Sequence, residues 1–323
     1  MNLVPATPAS IQFAAEIIRS GKLVAFPTET VYGLAADALN APACAKIFAV
    51  KNRPYFDPLI VHVADLSWLE KLCAQLQAQA RRLAEEFWPG PLTLVVPKTD
   101  LVPELVTAGL PNVALRMPDH PVALALIRAA QKPLAAPSAN PFGYLSPTTA
   151  QHVAEQLGDR IDMILDGGPC AVGVESTILD LSGENPRLLR PGGLALETLE
   201  QAIGKIEALR PDPQRPLAPG QLPSHYAPRT PVEFLTSDFR FPNDRKVGLL
   251  AFQSPAEHLP FEKTEILSPH GDLQEAAANL FLCLHRLDRA GLDVIYAEAV
   301  PETGLGRAIM DRLRKAAGVS PAR

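Results

Sequence analysis

Leu23-Val24-Ala25-Phe26-Pro27-Thr28-Glu29-Thr30-Val31-Tyr32-Gly33-Leu34 begins with a short apolar run and ends on glycine. The apolar residues predict a buried strand, and Pro27 stops it because proline has no N–H to give a ladder. Two threonine hydroxyls and a carboxylate follow at once, and Gly33 is expected to let the chain turn. In open α/β sheets, ligands gather beyond the carboxyl ends of strands. Further along, Lys51-Asn52-Arg53-Pro54 leads through Asp57-Pro58 into Leu59-Ile60-Val61-His62-Val63. Two cations thus precede a second apolar strand that carries a lone histidine. The pair of segments suggests an anion-handling site beside a small polar ligand.

The same alternation continues on both sides. Residues 11–19 read as a helix with Ser10 as its N-cap and Gly21 beyond its end. Cys44, Ile47 and Phe48 share a face at i, i+3, i+4, which predicts a helix delivering Lys51 and Arg53. A helix over 80–87 is stopped by Trp88-Pro89-Gly90-Pro91, and a strand over 92–96 follows. Residues 113–115 predict a short strand with Arg116 at its end, and residues 121–130 the helix after it. Residues 134–136 predict a strand before the loop that carries Ser138 and Asn140. Further strands are expected at 163–165 and 177–181. The class is α/β, a mixed twisted sheet with helices on its faces.

Between residues 205 and 231, Pro211, Pro213, Pro216, Pro219, Pro223, Pro228 and Pro231 punctuate a stretch with little periodicity. Proline at this density makes an extended, semi-rigid connector. A second α/β pattern follows: a strand over 247–252, an amphipathic helix through 277–284, a strand over 294–297, and a last helix after Gly304-Leu305-Gly306. The expected organisation is a catalytic domain over 1–205, a linker and lid over 206–231, and a small Rossmann-like α/β domain over 232–323.

Composition narrows the function classes. With 323 residues and 47% hydrophobic content, the chain can bury a sizeable core. A net charge of −5 argues against a surface that coats nucleic acid, though a local basic patch is compatible with it. The four cysteines are scattered without CxxC spacing, so neither a disulfide framework nor a zinc site is indicated. A reduced, cytoplasmic setting is expected, and no apolar run approaches the ~20 residues needed to cross a bilayer.

Several side chains admit both a chemical and a structural role. No GxxxxGK[ST] loop and no GxSxG elbow occurs, so neither a P-loop nor an α/β-hydrolase triad is indicated. In Gly304-Leu305-Gly306 the third fingerprint glycine is replaced by Ile309, so helix entry is the better reading. Lys51 and Arg53 are either a solvated helix end favoured by the macrodipole or a phosphate clamp. His62 in an apolar strand is either a satisfied core histidine or a proton-handling group. Arg116 is either a sheet-edge ion pair or a bidentate carboxylate grip. Ser138, Asn140 and Ser146 serve equally well as turn and cap residues.

Five segments occur in one order: Pro27–Leu34, Lys51–Val63, Trp88-Pro89-Gly90-Pro91-Leu92-Thr93-Leu94, Ala136-Pro137-Ser138-Ala139-Asn140 and Glu175-Ser176-Thr177-Ile178. Together they resemble the YrdC-like family in its long, two-domain form, over nearly the whole chain. The resemblance implies condensation of L-threonine, bicarbonate and ATP to threonylcarbamoyl-AMP and pyrophosphate, for tRNA N6-threonylcarbamoyladenosine modification. It places Thr30, His62, Arg116, Ala136 and Ser176 at L-threonine. It places Lys51, Arg53, Asp57, Asn112, Ser138, Ser146, Arg190 and Tyr226 at ATP, with Lys51, Arg53 and His62 as the catalytic group. Ser224-His225-Tyr226-Ala227-Pro228 matches the family's linker run, which implies a lid bearing His225 and Tyr226. Magnesium is expected through the ATP phosphates, with no metal site from protein spacing. A downstream tRNA-modifying threonylcarbamoyl transferase is the implied partner, and direct tRNA binding is left open. Two departures stand out: Asp57 where many relatives have asparagine, and Asn112 where threonine is common. The competing readings are an RNA-binding maturation factor of the same fold and a carbamoyl-phosphate-dependent carbamoyl transferase.

Overall fold

The computed structural model describes residues 3–208, 216–222, 225–242, 244–255 and 260–318. Pro211, Pro213, Pro223 and Ser224 of the expected connector lie outside them. The first sheet is built from β1 (Leu3–Pro5), β2 (Val24–Phe26), β3 (Gly33–Asp37), β4 (Ile60–His62), β5 (Leu92–Pro97), β6 (Asn112–Arg116), β7 (Leu134–Ala135), β8 (Met163–Asp166), β9 (Thr177–Asp180), β10 (Arg187–Arg190) and β11 (Glu207–Ala208). Its order is β1-β8-β2-β3-β7-β4-β6-β5-β9-β10-β11, with parallel and antiparallel pairs mixed. The strands are short, and helices cover both faces.

Helix α1 (Pro8–Arg19) begins one turn earlier than its apolar pattern suggests. Thr7 is the N-cap, and Ser10 stands at the third helical position of a reciprocal capping box. Ile11, Ala14, Ala15 and Ile18 of α1 pack on Ala123, Leu126, Ile127 and Ala130 of a helix over residues 121–130. The other face carries the larger core, into which α2 (Ala41–Lys51), α3 (Ser67–Leu72) and α4 (Ala78–Phe87) bury Ile47, Phe48, Leu69 and Leu83. The remaining helices are α5 (Glu104–Thr107), α6 (Pro121–Ala130), α7 (Ala150–Gln156), α8 (Leu196–Ile203), α9 (Leu273–Asp288) and α10 (Gly306–Ala316).

Gly33 does not turn the chain as its position suggested. It is the first residue of β3, opposite Phe26 in an antiparallel pair. A Cβ there would lie 2.9 Å from the Phe26 ring, so glycine is needed for close approach. The turn is made by Thr28, whose Oγ1 accepts from the amides of Thr30 and Val31, each at 3.2 Å.

The second sheet is wholly parallel, in the order β12-β15-β13-β14. Its strands are β12 (Val232–Phe234), β13 (Val247–Ala251), β14 (Lys263–Ile266) and β15 (Val294–Ala297), with α9 and α10 packed on it. Because β11 pairs with β10, the first sheet runs to residue 208, three residues past the expected boundary at 205. The two domains share an apolar cluster: Val31, Leu145, Val174 and Tyr226 pack with Leu280, Phe281 and Leu284 of α9. Gly173, at φ +75, lets α9 sit against the first domain, since a Cβ there would meet the Ala277 carbonyl at 2.4 Å. Among the described residues no helix is long and apolar enough to cross a membrane.

Candidate active site

The carboxyl ends of β4 and β6 lie side by side, and the parallel register places His62 opposite Arg116. Around them a cleft opens to solvent. It is lined by the β2–β3 loop, Ala136–Ser138 after β7, Glu175–Ser176 before β9, Arg190 ending β10, and Pro219, Gly220, His225 and Tyr226 of the connector. Ligand sites commonly fall at this place in α/β sheets.

One wall carries Arg116, whose Nη2 is 2.7 Å from Glu29 Oε1 with both side chains buried. Neither Glu29 oxygen accepts a hydrogen bond otherwise, so the pair holds its charges with little support. His62 stands beside it with Nδ1 unpartnered. Burial, with Arg116 adding repulsion, pushes His62 down to about 3. It is therefore neutral near pH 7 and a poor base, suited to a hydrogen bond rather than to taking up a proton. Thr30 is fully buried behind this wall, its hydroxyl 2.8 Å from that of Thr28.

The opposite wall is cationic. Arg53 Nη2 lies 2.9 Å from Asp57 Oδ2, and its nitrogens donate to the carbonyls of Asp57 at 3.0 Å and Pro58 at 2.7 Å. Among the described residues Arg190 donates only to the Ser176 carbonyl and hydroxyl and the Pro219 carbonyl. Lys51 does not line the cleft. It lies beneath, donating to the carbonyls of Ser138, at 2.6 Å, and Asn140. Burial, then the charge of Arg53, holds the Lys51 ammonium well below the ordinary lysine range. Asp57 offsets Arg53, whereas neutral carbonyls and a hydroxyl hold Arg190 at the cleft, so this wall keeps an excess of positive charge for a polyanion. His225, surrounded by Arg53, Lys315, Lys51 and Arg190, is held neutral by burial first and by those charges second.

Of the anticipated residues, Arg53, His62, Arg116, Ala136, Ser138, Ser176, Arg190, His225 and Tyr226 meet at the cleft. Lys51, Thr30, Asp57 and Ser146 stand behind it; Ser146 donates to Glu175 Oε1. Asn112 is at the far end of β6, where its side chain donates to Ser182 Oγ at 3.0 Å. By strand periodicity it shares a face with Ala114 and Arg116. Ala114 packs there with Ile60, Val95, Ile178 and Ala218, so the connector covers the path between cleft and Asn112. Sequence reasoning passed over Glu175, Arg312 and Lys315. The last two sit on an amphipathic helix whose polar positions have the spacing of a solvated face.

The buried histidines give a stability prediction. Burial lowers His152 to about 4 and His285 to about 3, alongside His62. For each, the unfolded chain binds more protons between the folded value and the unperturbed value of about 6.5, so stability rises with pH across that window. The melting temperature is expected to be level above about pH 7 and to fall from about pH 6.5 to pH 4. Calorimetry over that range checks it; an unchanged melting temperature at pH 4 contradicts it.

Comparisons with known proteins agree with this architecture. Residues 16–192 match the Sua5–YciO–YrdC family, described as telomere recombination, and residues 194–318 match the threonylcarbamoyl-AMP synthase C-terminal domain. A threonylcarbamoyl-AMP synthase of Pyrococcus abyssi is 46% identical over 95% of this chain and 94% of its own. One of Bacillus subtilis is 45% identical over 94% and 92%. The crystal structure of P. abyssi Sua5 complexed with L-threonine superimposes with a TM-score of 0.89 at 44% identity, covering 98% of this chain and 96% of that one. Escherichia coli YciO aligns with 58% of this chain and 90% of its own, at 25% identity and a TM-score of 0.52.

Proposed function

We infer the function from a premise those matches establish: this chain belongs to the Sua5–YciO–YrdC family, in the two-domain form that ends in a threonylcarbamoyl-AMP synthase C-terminal domain. It is a nucleotidyltransferase that makes L-threonylcarbamoyladenylate from L-threonine and ATP. The observation that carries this reading is the division of one cleft into an Arg116–His62 wall and an Arg53–Arg190 wall. The first suits an amino-acid carboxylate, and the second a polyphosphate. Neither an RNA-binding factor without this chemistry nor a carbamoyl-phosphate-dependent transferase is favoured, given synthase relatives at 45–46% identity over nearly full length.

We propose that bicarbonate supplies the carbamoyl carbon. The threonine amine and bicarbonate form a carbamate with loss of water, and a carbamate oxygen attacks the α-phosphorus as pyrophosphate leaves. Arg116 holds the threonine carboxylate, and neutral His62 contacts the bound threonine beside it. Arg53, Arg190 and Lys51 stabilise charge growing on the phosphates. Among the described residues no group of three or more His, Cys, Asp or Glu is placed to hold a metal ion. Asp57, the carboxylate among these cations, is buried behind the cleft and paired with Arg53, so it is not placed to reach an ion there. Magnesium would instead arrive on the ATP phosphates and would neutralise the leaving pyrophosphate. The product is an activated acyl-adenylate, suited to a tRNA-modifying transferase that consumes it. Four buried free cysteines fit a reduced, cytoplasmic setting.

The connector acts as a lid in this reading. His225 and Tyr226 line the cleft, with Tyr226 in the left-handed region at φ +62 and its ring 4.1 Å from that of His225. A lid excludes water from a carbamate and an acyl-adenylate, both prone to hydrolysis. Replacing His225-Tyr226-Ala227 by Gly-Ser-Gly is expected to weaken ATP binding and shorten product lifetime with both domains folded. Equal yield and lifetime would make the segment a tether. The reaction itself is tested by mass spectrometry with 13C-bicarbonate: a labelled threonylcarbamoyl-AMP is expected, and an unlabelled or absent product refutes it.

A further inference from the structure

The last helix of the C-terminal domain reaches under the active site. Arg312 on α10 has a fully buried side chain. Its Nε is 2.8 Å from Glu175 Oε2, and its Nη1 donates to the Pro191 carbonyl at 2.8 Å and to Asp311 Oδ2 at 2.6 Å. Its guanidinium carbon stands 5.0 Å from the centre of the Tyr226 ring, within cation–π distance. Nη2 is buried without a hydrogen-bond partner. One turn on, Lys315 donates to the Gly220 carbonyl at 2.7 Å and to Asp311 at 2.8 Å. A single helix face therefore touches Glu175, Tyr226 and Gly220, all three of which line the cleft.

An ordinary interdomain ion pair would not be arranged this way. Arg312 is wholly buried, and its carboxylate partner is shared with an active-site serine: Glu175 takes Arg312 on one oxygen and the Ser146 hydroxyl on the other. Arg190, which faces the phosphate region, is anchored on the carbonyl of the next residue, Ser176. Tyr226 must hold a backbone conformation that non-glycine residues rarely adopt. What keeps its ring in place is the Arg312 face on one side and Phe281 of α9, 5.8 Å away.

We propose that Arg312 is a positioning residue for the nucleotide half of the active site, supplied by the C-terminal domain, which holds Glu175 with Ser146 and fixes Tyr226 over the cleft. The proposal rests on the reading that this cleft takes ATP and threonine. It gives the second domain a role beyond tethering the lid: its last helix completes the wall against which the nucleotide binds. The threonine wall, Arg116 with Glu29 and His62, is built from other partners and is left untouched.

The test uses full-length protein and calorimetric binding of a non-hydrolysable ATP analogue and of L-threonine, so that it does not depend on turnover. Arg312→Met is expected to weaken the analogue at least about tenfold while threonine affinity stays within about twofold. Arg312→Lys keeps the charge but loses the fork, and is expected to weaken the analogue by about threefold. If Arg312 acts through Glu175, combining Arg312→Met with Glu175→Gln costs little more than the worse single change. Should the Met variant fail to fold, the Lys variant decides the matter on the same two affinities. Unchanged analogue affinity in a folded variant, or equal loss for both ligands with a lowered melting temperature, overturns the inference and leaves the function standing. A wild-type protein that binds neither ligand would instead remove the reading on which it rests.

Discussion

Arg116→Met is expected to raise the threonine Kd roughly a hundredfold while ATP affinity changes by less than about threefold, since two charge-assisted bonds at about 1.5 kcal/mol each are lost. The same change has a second consequence that the ion pair makes unavoidable. Glu29 is buried with no hydrogen-bond donor apart from its contact with Arg116, so removing the guanidinium strands a carboxylate. Stranding one partner of a buried pair typically costs about 3–5 kcal/mol, enough to unfold a marginal domain. Combining Arg116→Met with Glu29→Gln removes both charges and is expected to restore the melting temperature without restoring threonine binding. Titration calorimetry on that double variant separates the two effects. Threonine affinity close to wild type in the folded double variant would mean that Arg116 is a sheet-edge pair and nothing more.

Turnover, not threonine affinity, is expected to collapse in Lys51→Met and Arg53→Met, by about 10²–10³-fold for each, the usual loss when one preorganised donor to a developing anion is removed. The two act by different routes. Arg53 faces the cleft and meets phosphate directly, already aimed by two backbone carbonyls. Lys51 is held beneath the loop by the Ser138 and Asn140 carbonyls, so its removal also releases the Ser138 segment. Arriving phosphates favour the charged ammonium that burial alone disfavours. Asp57→Asn should behave oppositely: it frees Arg53 from a competing carboxylate, lowers stability, and leaves turnover largely intact. Single-turnover rates at saturating substrates decide this. Normal rates in both cation variants would return the pair to a structural helix end.

Much of the cleft was legible because its residues cluster at strand ends in short motifs. Arg116 could be placed from Met117-Pro118, which ends its strand, and His62 from the apolar run around it. What was not legible depends on contacts between distant segments. Gly33 looks like a turn in sequence; only the Phe26 ring across the hairpin shows why glycine is there. Ser10 and Thr7 both suit an N-cap, and the capping box uses both. Strands as short as β1, β7 and β11 carry too few residues for periodicity to register, yet β11 moves the sheet's end past residue 205. Glu175 was noticed only as the neighbour of Ser176, because its partner Arg312 lies 137 positions away.

The measurement that bears most directly on the whole account is pyrophosphate release from ATP by the full-length protein, with threonine and bicarbonate omitted singly and together. Release that requires both, and accompanies formation of the adenylate, is the predicted result. Release at the same rate without either would contradict it, because the two walls of the cleft would then not be serving one reaction.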